Sequence, residues 1–310
     1  MPSKIDLHLH TIYSDGRNTL EDVSSYQRNS MLEYISITDH NTLQGNIVLW
    51  QQGKWQSQFL VGTELRLPGV PDILIYFPSI SLQKAMEVEE KLRSICRLDQ
   101  EITLEIAKDY IDNDALLVWR DSPHFNNQGN YWLGTLQLAQ LISQRKQPPI
   151  DIIKEIRKKK SLIFNAPHGI KASRELNDIA NFEWINKLVI EYNGVAVLAH
   201  PYREIMRRLH KETALEFASF KAELENMMKE LINFNIKTFE HITVYSRYWW
   251  EQHCAFSTMD ANNFFIKLCR TNKLNLTVGS DSHDLSHSDD IIPSMIDNDC
   301  LSQFLPAWLR

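Results

Sequence analysis

Short apolar or β-branched segments alternate with longer amphipathic segments along most of this chain, and this alternation limits its fold more than any other feature. The short segments predict strands at residues 5–9, 34–38, 59–63, 73–77, 195–199, 238–244 and 276–279. Helices are predicted between them at residues 19–31, 43–55, 183–192, 212–234 and 260–272. Such alternation is typical of parallel βα units in an α/β fold. About seven strands favour a barrel over a short open sheet, although the pattern alone does not establish closure.

Residues 81–182 interrupt this alternation. Their signals are mostly helical, and they predict helices at residues 82–96, 98–111, 132–145 and 150–160, separated by polar or proline-containing loops. We therefore predict a helical insertion over residues 81–182. The α/β domain around it is formed by residues 1–80 and 183–310.

Composition narrows the class of protein. A chain of 310 residues with 43% hydrophobic residues can bury a large core, so a disordered chain and a disulfide-stapled mini-protein are both excluded. Its 33 Lys and Arg against 39 Asp and Glu argue against binding nucleic acid or anionic membrane through net charge. The four cysteines are far apart, which favours reduced thiols over disulfides or a zinc–thiolate site. Without an apolar leader or a membrane-spanning stretch, we expect a soluble cytoplasmic protein.

Metal-ligating side chains follow five of the predicted strands at the point where each strand ends. They are His8 and His10, His40, Glu64, His200, and the pair Asp281 and His283. Residues i and i+2 of a strand point to the same face, so His8 and His10 can converge on one ion. The carboxyl ends of parallel barrel strands lie on one face, where barrel enzymes place their sites. Asp15, in a Ser-Asp-Gly turn, can reach over the same mouth.

A single histidine after a strand is more often structural than a ligand, and His210, His241 and His253 are interpreted in that way. Five of the eleven histidines at strand ends, accompanied by carboxylates, favour a metal site instead. A serine or cysteine nucleophile has little support, since the sequence has no Gly-x-Ser-x-Gly motif.

Taken together and in order, these motifs resemble the polymerase and histidinol phosphatase (PHP) superfamily. The resemblance covers most of residues 4–80 and 184–290, and its motifs are His8-Leu-His10, Ser14-Asp15-Gly16, Thr38-Asp39-His40, Gly62-Thr63-Glu64, Ala199-His200-Pro201 and Gly279-Ser280-Asp281-Ser282-His283. It implies a distorted (β/α)7 TIM-like barrel that holds two or three divalent ions of Mn, Zn or Fe. The chain looks closest to a branch with a helical insertion that acts on nucleotides or short RNA. Arg120-Asp-Ser-Pro-His124-Phe125 is similar to an Arg-x-His-Phe element of that branch.

The resemblance also implies three ion-binding sets. The first is His8, His10, Glu64 and Asp281; the second is Glu64, His200 and a fourth-strand residue; the third is Asp15, His40 and His283. Relatives carry histidine at the fourth-strand position, where this chain has Asp72. A harder carboxylate ligand would favour Mn or Fe over Zn. Alternatively, Asp72 only begins a strand or caps a helix and the second ion binds weakly, and the sequence leaves this choice open.

Mixed imidazole and carboxylate ligands suit hydrolysis of a phosphate ester by a metal-bridging hydroxide. We expect Asp15, His40 and His124 to be catalytic, and Arg120 and Arg203 to bind the substrate phosphate. A surface salt bridge with Glu204 or a neighbouring residue is the alternative for Arg203. The expected substrate is a nucleotide or a short oligonucleotide such as RNA, with no membrane and no obligate protein partner. The alternatives are a histidinol-phosphate phosphatase and a non-catalytic, metal-stabilised PHP module.

Overall fold

A computed structural model describes residues 5–55, 59–66, 71–111, 135–143, 149–165, 182–209, 215–241 and 254–285. The strands of these ranges form one seven-stranded sheet whose order follows the chain. They are β1 (Ile5–Leu9), β2 (Tyr34–Ile37), β3 (Phe59–Leu65), β4 (Ile73–Phe77), β5 (Val195–Leu198), β6 (Thr238–Glu240) and β7 (Asn275–Thr277). All seven predicted strands are therefore present: β1 and β4 have the predicted bounds, and the other strands have ends that differ by a few residues.

Helices fill most of the intervals between the strands. Within the described ranges they are α1 (Leu20–Asn29), α2 (Gln44–Gln51), α3 (Leu82–Ala107), α4 (Thr135–Ser143), α5 (Ile150–Asn165), α6 (Phe182–Glu191), α7 (Pro201–Leu209), α8 (Phe217–Asn233) and α9 (Thr258–Asn272). Capping boxes formed by Thr19 with Asp22 and by Ser257 with Asp260 begin α1 and α9. One continuous α3 replaces the two helices predicted over residues 82–111, and α7 was not predicted.

The expectation of parallel pairing is wrong at β4, which pairs antiparallel with both β3 and β5, while the other four strand pairs are parallel. Only residues 66–72 connect β3 to β4. A parallel crossover needs about a dozen residues or more, so a link this short favours a reversed strand. The start of β4 consequently lies at the same edge of the sheet as the ends of its neighbours.

Backbone hydrogen bonds join the first strand to the segment that follows the last strand. The Leu7 N–H donates to the Val278 carbonyl at 3.0 Å, and the Asp281 N–H donates to the His8 carbonyl at 2.8 Å. The seven-stranded sheet therefore curls until its two edges meet, with helices packed around it, in a TIM-like α/β arrangement.

Many of the buried apolar side chains of the sheet share one hydrophobic cluster with side chains from the helices of the predicted insertion. Ile102 on α3, Leu138 on α4 and Ile156 on α5 belong to this cluster together with Ile75 and Val197. The described part of the insertion therefore packs on the sheet, and its treatment as a separate unit stays a prediction. Across the described residues, no helix combines the length and apolar character that a membrane span requires.

Candidate metal centre

Four side chains converge where β1 ends. The Nε2 atoms of His8 and His10 lie 3.2 Å apart, and they lie 3.3 and 3.2 Å from Oε2 of Glu64. Oδ1 of Asp281 lies 3.4 Å from the His8 nitrogen and 3.3 Å from the His10 nitrogen. Ligands about 2.0–2.1 Å from a tetrahedral Zn²⁺ would lie about 3.3–3.4 Å from one another. The spacing of these four atoms therefore fits a bound divalent ion.

The second oxygen of Glu64 faces a different set of side chains. Its Oε1 lies 2.9 Å from Nε2 of His200, and Asp72 completes a group whose ligand atoms lie within 4.8 Å of one another. Asp72 immediately precedes β4, and its carbonyl accepts a hydrogen bond from the Ala199 N–H at 3.0 Å. The reversal of β4 is what brings Asp72 to this edge of the sheet. The structure thus places Asp72 in a candidate ligand group, and ion binding by it stays a prediction.

A third group surrounds Asp15. Its Oδ1 lies 3.1 Å from Nε2 of His283 and 3.3 Å from Nε2 of His40. Nδ1 of His10 lies 3.9 Å from the same oxygen, so His10 faces both this group and the first one. The structure therefore brings together all nine predicted ligands, and it adds His10 to a set that the resemblance gave without it.

Several atoms of these groups are buried and have no hydrogen-bond partner among the described residues. They are Nδ1 of His10, Oδ1 of Asp15, both ring nitrogens of His40, and Oδ1 of Asp281. Nδ1 of His40 lies only 3.0 Å from Oε2 of Glu64, yet the two atoms do not form a hydrogen bond. Buried polar atoms without a partner are rare and unfavourable. Ligand atoms that lie close together without a hydrogen bond between them are placed to coordinate the same ion. This donor set is therefore suited to a divalent metal ion.

Burial and neighbouring charges act in opposite directions on the carboxyl groups of the cluster. Burial alone would raise the pKa of Asp15 and of Glu64. Facing imidazoles overcome this effect and hold both pKa values well below the ordinary range. Burial lowers the pKa of His40, but Asp15 and Glu64 raise it to about 9. The carboxylates therefore stay ionised at neutral pH, which is the form that binds a cation.

The turn that carries Asp15 is held against β1 by a second aspartate. Asp39 accepts hydrogen bonds from the Thr11 N–H at 2.7 Å, the Thr11 hydroxyl at 2.6 Å and the Ser14 hydroxyl at 2.7 Å. A Cβ at Gly16 would lie 2.4 Å from the His10 carbonyl carbon, so only glycine allows this close approach. Asp39 and Gly16 thereby fix the position of Asp15.

Glu240, at the end of β6, is a site residue that the sequence analysis missed. Its Oε1 lies 2.9 Å from Nδ1 of His8, and its Oε2 accepts a hydrogen bond from the His200 N–H at 2.7 Å. A carboxylate only accepts hydrogen bonds, so the Nδ1–H of His8 is the donor and its Nε2 lone pair faces the cluster. Glu240 therefore orients one ligand from each of two groups.

Glu240→Gln is expected to weaken Mn²⁺ binding by roughly 10–100-fold, the usual effect of losing an outer partner of a metal ligand. The amide keeps only one acceptor oxygen, and its NH₂ is a donor, so the side chain can no longer accept from both the His8 ring and the His200 backbone. Titration of Mn²⁺ by calorimetry measures the effect. Glu204→Gln is the matched control, because Glu204 is also buried but pairs with Arg208 at 2.8 Å. Equal Mn²⁺ affinity in the two variants would contradict the orienting role.

Two arginines lie at the rim of the cluster. Nη1 of Arg203 lies 3.4 Å from Nε2 of His200 and 3.7 Å from Oδ2 of Asp281. Of the predicted alternative, a salt bridge with Glu204 or a neighbour, the Glu204 pairing is not formed: Glu204 pairs with Arg208, and Arg203 pairs with Asp281. The other arginine is Arg66, which the sequence analysis did not name. The predicted phosphate ligand Arg120 and the predicted acid His124 lie outside the described residues.

The fold and the cluster define an α/β protein with a TIM-like sheet and candidate metal ligands at one edge of that sheet. The sequence matches no family model and no curated protein. It is similar in structure to an amidohydrolase from Chromobacterium violaceum, solved with bound sulfate and no metal, at 17% identity and a TM-score of 0.53, over 99% of this chain and 94% of that one. A Bifidobacterium adolescentis protein, described provisionally as a metal-dependent phosphoesterase, aligns over 100% of both chains at 16% identity and a TM-score of 0.49. At such identities the amidohydrolase likeness shows a shared fold.

Proposed function

We propose that this chain is a metal-dependent phosphoesterase with a PHP-type (β/α)7 barrel. The observation that carries the proposal is the position of Glu64, whose Oε2 faces His8 and His10 at 3.3 and 3.2 Å while its Oε1 faces His200 at 2.9 Å. One fully buried carboxylate between two ligand groups is the arrangement that holds neighbouring ions in hydrolytic sites.

The ligand chemistry supports two or three divalent ions of Mn, Zn or Fe. The candidate groups contain imidazole and carboxylate and no thiolate within the described residues, a donor set that suits ions with an exchangeable water. Bound there, such ions would lower the pKa of a coordinated water and withdraw charge from a phosphate. The residues that would hold them are His8, His10, Asp15, His40, Glu64, Asp72, His200, Asp281 and His283.

The side chains themselves perform the remaining tasks. Glu240 holds His8 with its Nε2 toward the cluster, and the Asp281 carbonyl, 3.0 Å from Nδ1 of His283, does the same for that ring. Asp15 stays ionised between His40 and His283, so its Oδ1 can accept a hydrogen bond from the attacking water and orient it. Arg203 can donate to phosphate oxygens from the rim.

In the proposed reaction a water oxygen bonds to phosphorus while the ester P–O bond breaks. The proton lost by water stays in the carboxylate–imidazole cluster, where Asp15 and His40 are the proposed catalytic pair. The departing oxygen takes a proton from a general acid, a role that we assign to His124 from its Arg-x-His-Phe-like motif. Products are the free alcohol and inorganic phosphate or a shortened phosphate ester.

The proposed substrate is a nucleotide or a short oligonucleotide. This part rests on the sequence resemblance and on Arg120 and His124, while the described residues support only a cluster for oxyanion chemistry. The proposal includes no membrane and no obligate protein partner.

Release of phosphate from 3′,5′-bisphosphonucleosides by the Mn²⁺-loaded protein is the test, with short RNA and histidinol phosphate as competing substrates. Turnover is expected for the nucleotides, and His8→Ala is expected to reduce it about 100-fold or more, since losing even an outer partner of a ligand costs 10–100-fold. Chelated protein reloaded with Mn²⁺ is the control. Faster turnover of histidinol phosphate would reassign the substrate. Stabilisation by Mn²⁺ without hydrolysis of any substrate would indicate a structural metal module.

A further inference from the structure

The backbone of Arg66 is fixed at the mouth of the sheet by the neighbouring loop. Arg66 follows β3 directly, two residues after Glu64. Its N–H donates to Oδ1 of Asn41 at 2.9 Å, and its carbonyl accepts from Nδ2 of Asn41 at 3.1 Å. Asn41 follows His40 and has a left-handed φ of 54°. Asn41 therefore fixes the backbone of Arg66 directly beside the candidate ligand His40.

The guanidinium of Arg66 lies near two carboxylates of the cluster without bonding to either. Its Nη1 is 3.6 Å from Oδ2 of Asp15, and its Nε is 3.8 Å from Oδ1 of Asp72. Both distances exceed the usual 2.7–3.2 Å of an N–H···O hydrogen bond. The side chain is 40% exposed, and among the described residues its guanidinium has no hydrogen-bond partner. Its donors are therefore available to a ligand that enters the mouth.

Arg203 approaches the same cluster from the first turn of α7, the helix that follows β5. It is 44% exposed, and its Nη1 lies 3.7 Å from Oδ2 of Asp281. A guanidinium group stays charged at any pH at which a protein is folded, so Arg66 and Arg203 are both positive. Their distances to Asp15 and to Asp281 place both charges at the same cluster. Two like charges facing one opening are stabilised when an anion binds between them.

We propose that Arg66 and Arg203 form a clamp for a terminal phosphate group, so that the site prefers phosphate monoesters to diesters. This inference rests on the proposed function and narrows its substrate class. A terminal phosphate has three acceptor oxygens and a charge of about −1.5 to −2 at neutral pH. A diester has one oxygen fewer to accept hydrogen bonds and less charge. When part of the phosphate faces the ligand groups, only the monoester keeps acceptors for both arginines.

A different role for Arg66 makes different predictions. If Arg66 served only to balance the charges of Asp15 and Asp72, its removal would change the affinity for divalent ions and affect all substrates equally. A clamp residue instead changes affinity for phosphate and the ratio of monoester to diester turnover. Measurements of ion content, phosphate binding and both kinds of turnover separate the two roles.

The experiment uses the Mn²⁺-loaded protein and the variant Arg66→Gln. Calorimetry with inorganic phosphate is expected to show binding weakened by roughly 10–100-fold, as for the loss of hydrogen bonds to a charged group. The kcat/KM for p-nitrophenyl phosphate is expected to fall by a similar factor, and that for bis-p-nitrophenyl phosphate by less than about threefold. Manganese content is expected to be unchanged. Arg66→Lys should fall in between, because an ammonium keeps the charge but not the planar fork.

Arg93→Gln is the matched control, since Arg93 is an exposed arginine that pairs with Glu89 and Glu90 on α3. Unchanged phosphate affinity in both Arg66 variants, a parallel loss of monoester and diester turnover, or a loss of manganese would each overturn the clamp. Should Arg66→Gln fail to fold, Arg66→Lys alone decides. Phosphate binding that depends on Arg66 in a protein without turnover would keep the clamp and reject the hydrolase. Hydrolysis by the variants with an unchanged preference for monoesters would keep the hydrolase and reject the clamp.

Discussion

Replacement of Glu64 by glutamine is expected to lower kcat/KM for the best phosphate ester by a factor of about 10⁴. Glu64 faces two ligand groups, and loss of an outer partner of a single metal ligand already costs roughly 10–100-fold. Both of its oxygens lie within 3.3 Å of imidazole nitrogens. The amide has the same shape but no charge, and its NH₂ cannot bind a cation. Metal analysis should show a loss of ions that accompanies the loss of activity.

Glu89→Gln is the control for this variant. Glu89 is also a buried glutamate, 7% exposed, but it accepts hydrogen bonds from the Thr42 hydroxyl at 2.9 Å and from the Leu43 N–H at 2.6 Å. The same substitution there should leave ion content and activity within about threefold, as is usual for a change that touches no ligand. Circular dichroism verifies that both variants fold. A Glu64→Gln protein that keeps its ions and its turnover would remove the basis of the proposed function.

Most of the cluster could be predicted because its residues obey a local rule. His8 and His10 are two residues apart at the end of β1, where strand periodicity places both on one face. Asp281 and His283 have the same spacing but lie in the loop after β7, where Asp281 has a left-handed φ of 52°. In the structure Oδ1 of Asp281 lies within 3.4 Å of both His8 and His10. Nε2 of His283 lies 3.1 Å from Oδ1 of Asp15. Periodicity does not predict how strands that are distant in sequence align. The prediction that their ends meet depended on the expected barrel.

Glu240 and Arg66 escaped prediction for different reasons. The strand predicted at residues 238–244 placed Glu240 in its interior, whereas β6 ends at Glu240. With the correct strand end, the rule that identified the candidate ligands would also have pointed to Glu240. Arg66 is two residues after Glu64 and shares its side of the chain, but a lone arginine after a strand is usually solvated. Only its distances to Asp15 and Asp72 reveal its place at the mouth.

The direction of β4 illustrates what alternation of strands and helices leaves undetermined. The strand itself, Ile73–Phe77, was predicted with its exact ends, but its direction depends on the length of the preceding connection. That direction matters for the site, since a parallel β4 would place Asp72 at the opposite edge of the sheet. The helices of residues 81–182 were predicted from their amphipathic pattern, yet their packing on the sheet depends on side chains far away in sequence, such as Ile75 and Val197.

Gly279→Ala tests whether the contact between the two edges of the sheet positions the cluster. The Ser280 N–H donates to Oδ1 of Asp6 at 2.9 Å, and the Asp281 N–H donates to the His8 carbonyl at 2.8 Å, so the segment after β7 lies directly against β1. A Cβ at Gly279 would lie 2.1 Å from Cβ of His8 and 2.7 Å from its backbone nitrogen. β1 and the segment after β7 must move apart to accommodate this Cβ. The expected loss in the free energy of unfolding is about 3 kcal/mol, at the upper end for overpacking.

The same separation should weaken Mn²⁺ binding, because His8 lies on one of the two segments that move apart and Asp281 on the other. Their ligand atoms are only 3.4 Å from each other. Urea denaturation and Mn²⁺ titration measure the two effects. Gly53→Ala is the control: Gly53 has a φ of 68° and no atom within 4 Å of its Cβ position. That change should destabilise the protein by only about 1 kcal/mol, from backbone strain, and leave Mn²⁺ affinity unchanged. A Gly279→Ala variant as stable as Gly53→Ala, with undiminished Mn²⁺ affinity, would mean that the cluster does not depend on the close approach of β1 and the segment after β7.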